Sequence, residues 1–176
     1  MPRQILLLTL LLPLAVAASF GIFTEARAQG QGAAKVDYTK ITPVDLVKNT
    51  PKGKLVNPYK DTQTAVVAAG SQFFAGYSCS GCHGGGGGGG ICPPLINGVW
   101  IYGGSDDTLF RLVTLGSVEL QKQGYTRQGL ENVVAPMPAF GGSIKSADDL
   151  WKILAFVRSK YDGDPAYKYG GPPSTP

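Results

Sequence analysis

The sequence predicts an all-α fold, and three stretches carry that prediction. From Ala65 to Tyr77 the residues Val66, Val67, Ala69, Gly70, Phe73, Phe74 and Tyr77 recur close to helical spacing. Ser105-Asp106-Asp107 caps a second stretch, Thr108 to Leu115, in which Leu109, Leu112, Val113 and Leu115 are apolar and Gly116 acts as the stop. Ser146 caps a third, with Asp149 at its third position and Leu150, Ile153, Leu154 and Val157 along one face. With 43% apolar and 16% charged side chains, 25 glycines and 13 prolines in 176 residues, the chain fits one globular domain with loop-rich connections. That composition excludes fibrous, collagen-like and wholly disordered classes. A net charge of +4 without a dense basic run gives weak support for nucleic-acid binding.

Taken in order, the chain opens on residues 1–28, read as a secretory signal peptide. Arg3 precedes an apolar run from Ile5 to Ala18, and Ala26-Arg27-Ala28 offers a small-x-small cleavage site. The apolar run is shorter than the roughly 18 residues a membrane span needs. Residues 29–64 are polar, interrupted by Pro43, Pro51 and Pro58, and are expected to run as an irregular N-terminal arm over the surface. Residues 162–176, with four prolines and three glycines, form an irregular, extended tail in which Tyr167 and Tyr169 either pack back on the domain or stay free.

Three cysteines are too few for a disulfide scaffold, and outside the cytoplasm each needs a partner or protection from oxidation. Cys79-Ser80-Gly81-Cys82-His83 is C-x-x-C-H, the pattern for covalent attachment of a c-type haem. Residues three apart share one face of a helical turn, so both sulfurs reach the same porphyrin edge while the next residue brings its imidazole under the iron. His83 is the only histidine, hence the only imidazole for the proximal position. A zinc site of Cys79, Cys82, His83 and Cys92 is disfavoured because adjacent Cys82 and His83 converge poorly on one tetrahedral ion. A thioredoxin-like dithiol needs a βαβ context that is missing.

For the second axial position the chain beyond the leader offers one methionine, Met137, in Val134-Ala135-Pro136-Met137-Pro138-Ala139-Phe140. Two flanking prolines stiffen that loop and suit a helix core poorly, which favours ligation over core filling. His83 and Met137 are therefore the expected iron ligands. An iron so closed exchanges electrons and does not activate oxygen or peroxide. The protein is expected to be an electron-transfer protein and not an enzyme.

This order of helix, C-x-x-C-H, proline-leucine turn, middle helix, methionine loop and C-terminal helix resembles class I cytochromes c over residues 65–161. The resemblance implies that the N- and C-terminal helices cross, with Gly70 and Phe74 as the crossing pair, around a covalent haem core. Cys92-Pro93-Pro94-Leu95 resembles the family's Gly-Pro-x-Leu turn, which implies that the Pro93 carbonyl orients His83 and that Leu95 shields the haem. Cys92, standing where glycine is usual, is either a buried inert thiol or a site of intermolecular pairing. Gly84 to Gly90 read as a flexible loop, either an approach surface for a partner or slack before Pro93. The middle helix is expected beside the haem, with Trp100 or Tyr102 as core rings able to bond a propionate, Arg111 as an exposed charge in preference to a propionate contact, and Asp106 and Asp107 as cap charges.

Cys-Ser-Gly-Cys-His with its glycine run, Cys-Pro-Pro-Leu, Trp-Ile-Tyr-Gly, Asp-Asp-Thr-Leu-Phe-Arg-Leu-Val-Thr-Leu-Gly and Pro-Met-Pro-Ala-Phe together are similar to cytochrome cL-type proteins. The likeness points to the branch serving lanthanide-dependent enzymes. It implies a periplasmic monomer that takes single electrons from a PQQ-dependent methanol dehydrogenase and passes them to a downstream cytochrome c or oxidase. A general soluble shuttle between a membrane cytochrome complex and a terminal oxidase is the alternative.

Overall fold

The computed structural model describes Met1 and residues 36–170. Apart from Met1, the expected signal peptide lies outside the described residues, as do residues 171–176 of the tail. Among the described residues there are five α-helices, one 3-10 turn and no strand: α1, Pro43–Asn49; α2, Thr64–Gly76; α3, Cys79–His83; α4, Asp106–Lys122; and α5, Ala147–Ser159. None of these helices is long and apolar enough to cross a membrane.

Helices α2 and α5 cross at the point where α2 has no side chain. A Cβ on Gly70 would lie 2.0 Å from the Lys152 carbonyl oxygen and 3.0 Å from the Phe156 Cβ, so only glycine lets the two backbones meet. One turn on, the Phe74 and Phe156 rings pack at a tilt of 53° with centroids 5.2 Å apart. The Ser146 hydroxyl accepts the Asp149 N–H at 3.1 Å and starts α5, as its sequence announces.

Helix α4 begins where its cap predicts, Ser105 accepting from the Thr108 N–H. Gly116 interrupts it with φ 77° and ψ 163°, but the chain resumes helical form as far as Lys122. The expected stop is therefore a break inside a longer element.

The segment before α2 is more than an arm over the surface. Thr42 caps α1 by accepting from the Asp45 N–H at 3.1 Å, Pro43 occupies the first turn, and the chain leaves the helix at Thr50, extended ahead of Pro51. Val47 and Leu55 enter the core, and buried Asn57 donates to the Trp151 carbonyl at 3.0 Å. Polar composition hid these insertions because single apolar residues, without periodicity, make the contacts.

Two further expectations are corrected here. Arg111 is 4% exposed. It pairs with Asp107 at 3.1 Å and donates to the carbonyls of Val47, Thr50 and Pro51. Asp107 is likewise buried and is no mere cap charge: it accepts from the Leu55 N–H at 3.2 Å and from the Tyr125 hydroxyl at 2.5 Å. Burial by itself would raise its carboxyl, yet Tyr125, the N–H groups of Gly53 and Leu55, and Arg111 together hold it below the ordinary carboxylate value. Asp106 accepts from the Asn57 N–H at 2.9 Å and pairs with Arg158.

Of the tail, residues 162–170 are described, and they fold back. The Tyr169 ring lies under the Arg158 guanidinium, its hydroxyl donates to Asp61 at 2.8 Å, and Lys168 pairs with the same carboxylate. The segments on either side of the α2–α5 core thus meet at Asp61.

Candidate functional site

Helix α2 passes into α3 through Ser78, the one described non-glycine residue with positive φ (64°). A left-handed residue costs about 1–2 kcal/mol here. The reversal is supported by the Gly81 N–H, which donates to the Ser78 carbonyl at 3.1 Å. On this single turn stand Cys79, Cys82 and His83, and all three line one cavity.

Met137 lines the same cavity, so the structure brings together the four side chains that the sequence singles out as thiols and ligands. Phe74 walls it from α2, Leu109, Leu112 and Val113 from α4, and Ile153, Leu154 and Val157 from α5. Leu95, Trp100 and Phe140 complete it from the connections. Protein interiors are normally close-packed, and a void bordered by this many large apolar groups is a receptacle for a large apolar group. Two thiols one turn apart with an adjacent imidazole at its edge fit a covalently attached haem.

The His83 ring is held from behind. Its Nδ1 lies 2.8 Å from the Pro93 carbonyl oxygen, and since a carbonyl only accepts, Nδ1 carries the proton and donates. Nε2 is left with a free lone pair for a metal, in a fixed tautomer and orientation. Trp100 is buried against the cavity, and its indole N–H donates to the Leu95 carbonyl at 2.8 Å, bracing the residue that follows Pro93-Pro94. That donor is used within the protein, while the Tyr102 hydroxyl accepts from Gln121 at 2.7 Å.

The seven-glycine segment is hydrogen-bonded and is not slack. The Gly89 N–H donates to the His83 carbonyl at 2.9 Å, the Leu95 N–H to the Gly87 carbonyl at 2.7 Å, and the Cys92 N–H to the Cys82 carbonyl at 3.2 Å. Gly84, Gly87 and Gly89 adopt positive φ, and a Cβ on Gly90 would lie 2.7 Å from the Cys82 carbonyl oxygen. Gly85, Gly86 and Gly88 meet nothing within 4 Å of an added Cβ. Four of the seven glycines are required by the turn, and composition alone did not distinguish them from the other three.

Cys92 also lines the cavity. Burial, then the neighbouring Cys82, pushes its thiol up to about 11, and burial likewise raises Cys79. Cys92 is therefore protonated and weakly nucleophilic near neutrality. Among the described residues no group of three or more His, Cys, Asp or Glu is placed to hold a metal ion, which leaves the four-ligand zinc set without support.

Sequence reasoning missed three residues that line the cavity. Arg127 and Glu131 supply its only formal charges besides the titratable thiols and imidazole. The Arg127 guanidinium donates to the Glu131 carbonyl, and the Glu131 carboxylate accepts from Asn97 at 2.5 Å. Ser117, directly after the Gly116 break, is 7% exposed and lines the cavity beneath the methionine loop. Its N–H donates to the Met137 carbonyl at 2.9 Å, while its hydroxyl accepts the Met137 N–H at 3.0 Å. A glycine inside an amphipathic run was the available signal, and the sequence reads equally well as a helix end.

A family model described as Cytochrome c matches residues 67–160, more than half of the chain. No curated protein matches it closely enough to report.

Proposed function

The chain belongs to the cytochrome c family, and we propose that it is the periplasmic acceptor of single electrons from a PQQ-dependent methanol dehydrogenase, delivering them to a downstream cytochrome c or oxidase. Membership makes it an electron-transfer protein carrying covalent haem c and not an enzyme. The observation that carries the reading at the site is the convergence of Cys79, Cys82, His83 and Met137 on one apolar cavity. The donor assignment is supported by the run of strings from Cys79-Ser80-Gly81-Cys82-His83 to Pro136-Met137-Pro138-Ala139-Phe140 that are similar to cytochrome cL-type proteins.

Haem supplies a one-electron ferric/ferrous couple. Cys79 and Cys82 would anchor it through thioether bonds, and His83, oriented by Pro93, together with Met137 would hold its iron, so that the chain would leave no coordination site to a substrate. Thioether ligation raises the reduction potential, and the walls contributed by α4 and α5 act in the same direction by disfavouring the more charged ferric state. Docking is transient and works at the haem edge of a monomer, with charged residues around it setting the salt dependence of association.

The test is stopped-flow reduction of the ferric protein by substrate-reduced quinoprotein methanol dehydrogenase at several ionic strengths. Fast, saturable, salt-sensitive reduction is expected. Reduction no faster than by an unrelated cytochrome c donor would instead favour the general shuttle. The ferric spectrum is expected to be low-spin with a methionine-to-iron charge-transfer band that Met137→Ala abolishes.

A further inference from the structure

We propose that the Gly116-Ser117 break in α4 is the positioning element that keeps Met137 on the iron, with the Ser117 hydroxyl governing how often the sixth position opens. The proposal rests on Met137 being the distal ligand but not on which protein donates the electron.

The methionine loop is short of backbone donors. Pro136 and Pro138 have no N–H, so Met137 owns the only backbone donor in the tripeptide. That donor goes to the Ser117 hydroxyl at 3.0 Å, and the Met137 carbonyl accepts the Ser117 N–H at 2.9 Å. Both backbone polar groups of the methionine are thus held by one residue of α4, and the tripeptide has no other N–H with which to replace the first bond.

Gly116 makes the approach possible. At φ 77° it takes a conformation that disfavours side chains, and a Cβ there would lie 2.8 Å from the Met137 carbonyl oxygen, 2.9 Å from the Ala139 nitrogen and 3.0 Å from the Pro138 carbonyl carbon. All three are backbone atoms, which cannot swing aside as a side chain would. The break also turns the Ser117 N–H out of the helical ladder toward the loop. Just beyond the ligand the same helix takes two more bonds, from Phe140 N–H to the Val113 carbonyl at 2.9 Å and from Gly141 N–H to the Thr114 carbonyl at 3.1 Å. These fix the far end of the loop. At the ligand itself, Ser117 provides the hydrogen bonds.

Removing the hydroxyl leaves the part-buried Met137 N–H without its protein partner and weakens the bound position relative to the open one by an amount typical of a lost hydrogen bond, about tenfold in the equilibrium. The experiment uses the haem-loaded ferric protein and imidazole as the incoming ligand. With Ser117→Ala, imidazole is expected to enter about tenfold faster, and the methionine-to-iron band is expected to fade at a lower temperature. Ser117→Thr keeps the hydroxyl and is expected to restore both.

Unchanged imidazole entry and an unchanged band in Ser117→Ala would overturn the proposal, as would a threonine variant that behaves like the alanine one. Met137→Ala separates the two possible failures. If it binds imidazole no faster than the unaltered protein, Met137 is not the ligand and the premise fails. If it binds fast while Ser117→Ala does not, the positioning role alone is wrong.

Discussion

Helix α4 has two buried faces of opposite character. Leu109, Leu112 and Val113 border a cavity whose walls are almost wholly apolar. On the other face, Asp107 and Arg111, one turn apart, carry full charges that are more inaccessible than the leucines. The charged face is complete within the polypeptide: Arg111 reaches three carbonyls and Asp107 a hydroxyl and a backbone N–H, so each desolvated charge is met by partners. The apolar face is completed by a prosthetic group that the chain must acquire. One helix therefore couples a self-sufficient frame, built from segments before α2, to a receptacle whose contents do the chemistry.

If that division is real, the largest effect should come from breaking the frame. Arg111→Met strands the Asp107 carboxylate and should cost about 3–5 kcal/mol of stability by denaturant unfolding. The ferric spectrum of the fraction that remains folded should be unchanged. A displaced methionine-to-iron band in the folded protein would show that the two faces are not separate. Leu109→Ala probes the other face. It should cost about 3 kcal/mol through the cavity it opens, and here the haem should respond, with a reduction potential lowered by the admitted water.

Acid distinguishes the faces more gently. The Asp107 carboxyl is held below its ordinary value of 3.8, so its contribution to stability is present in full above that pH and is lost as pH falls through the lower folded value. Asp61 shifts in the same direction: burial opposes ionisation, but Lys168 and Tyr169 outweigh it. An acid titration below about pH 4 should therefore weaken the frame in the unaltered protein, and Asp107→Asn, already weakened, should show less of that pH dependence. The smallest effect is expected in the glycine turn. Gly89→Ala places a side chain at φ 97° and should cost about 1–2 kcal/mol, whereas Gly86→Ala, with nothing within 4 Å, should leave the melting temperature and spectrum as they were.

Much of this was legible in the residues themselves. Helices α2 and α5 were readable because their apolar positions repeat at helical spacing and, for α5, because a serine cap marks the start. The candidate attachment site was readable because C-x-x-C-H places two thiols and an imidazole on one turn, and all three line the same cavity. The charged frame was not. Arg111 and Asp107 look like ordinary surface charges on an amphipathic helix, and what buries them arrives from residues 47–55, far away in sequence and without periodicity of its own. Gly116 illustrates the same limit from the other side: a glycine after a helical run marks an end or a break equally well, and the choice depends on whether another backbone needs to come close.

The sequence by itself determined the all-α architecture, the covalent haem and the turn that carries two thiols and the only imidazole, because each follows from spacing within a single turn or a single helix. The tertiary structure decided which glycines the turn after His83 requires, which charges are buried, and how the methionine loop is held against α4. Those depend on segments tens of residues apart approaching to hydrogen-bond distance, and such approaches are fixed by packing and not by any local pattern.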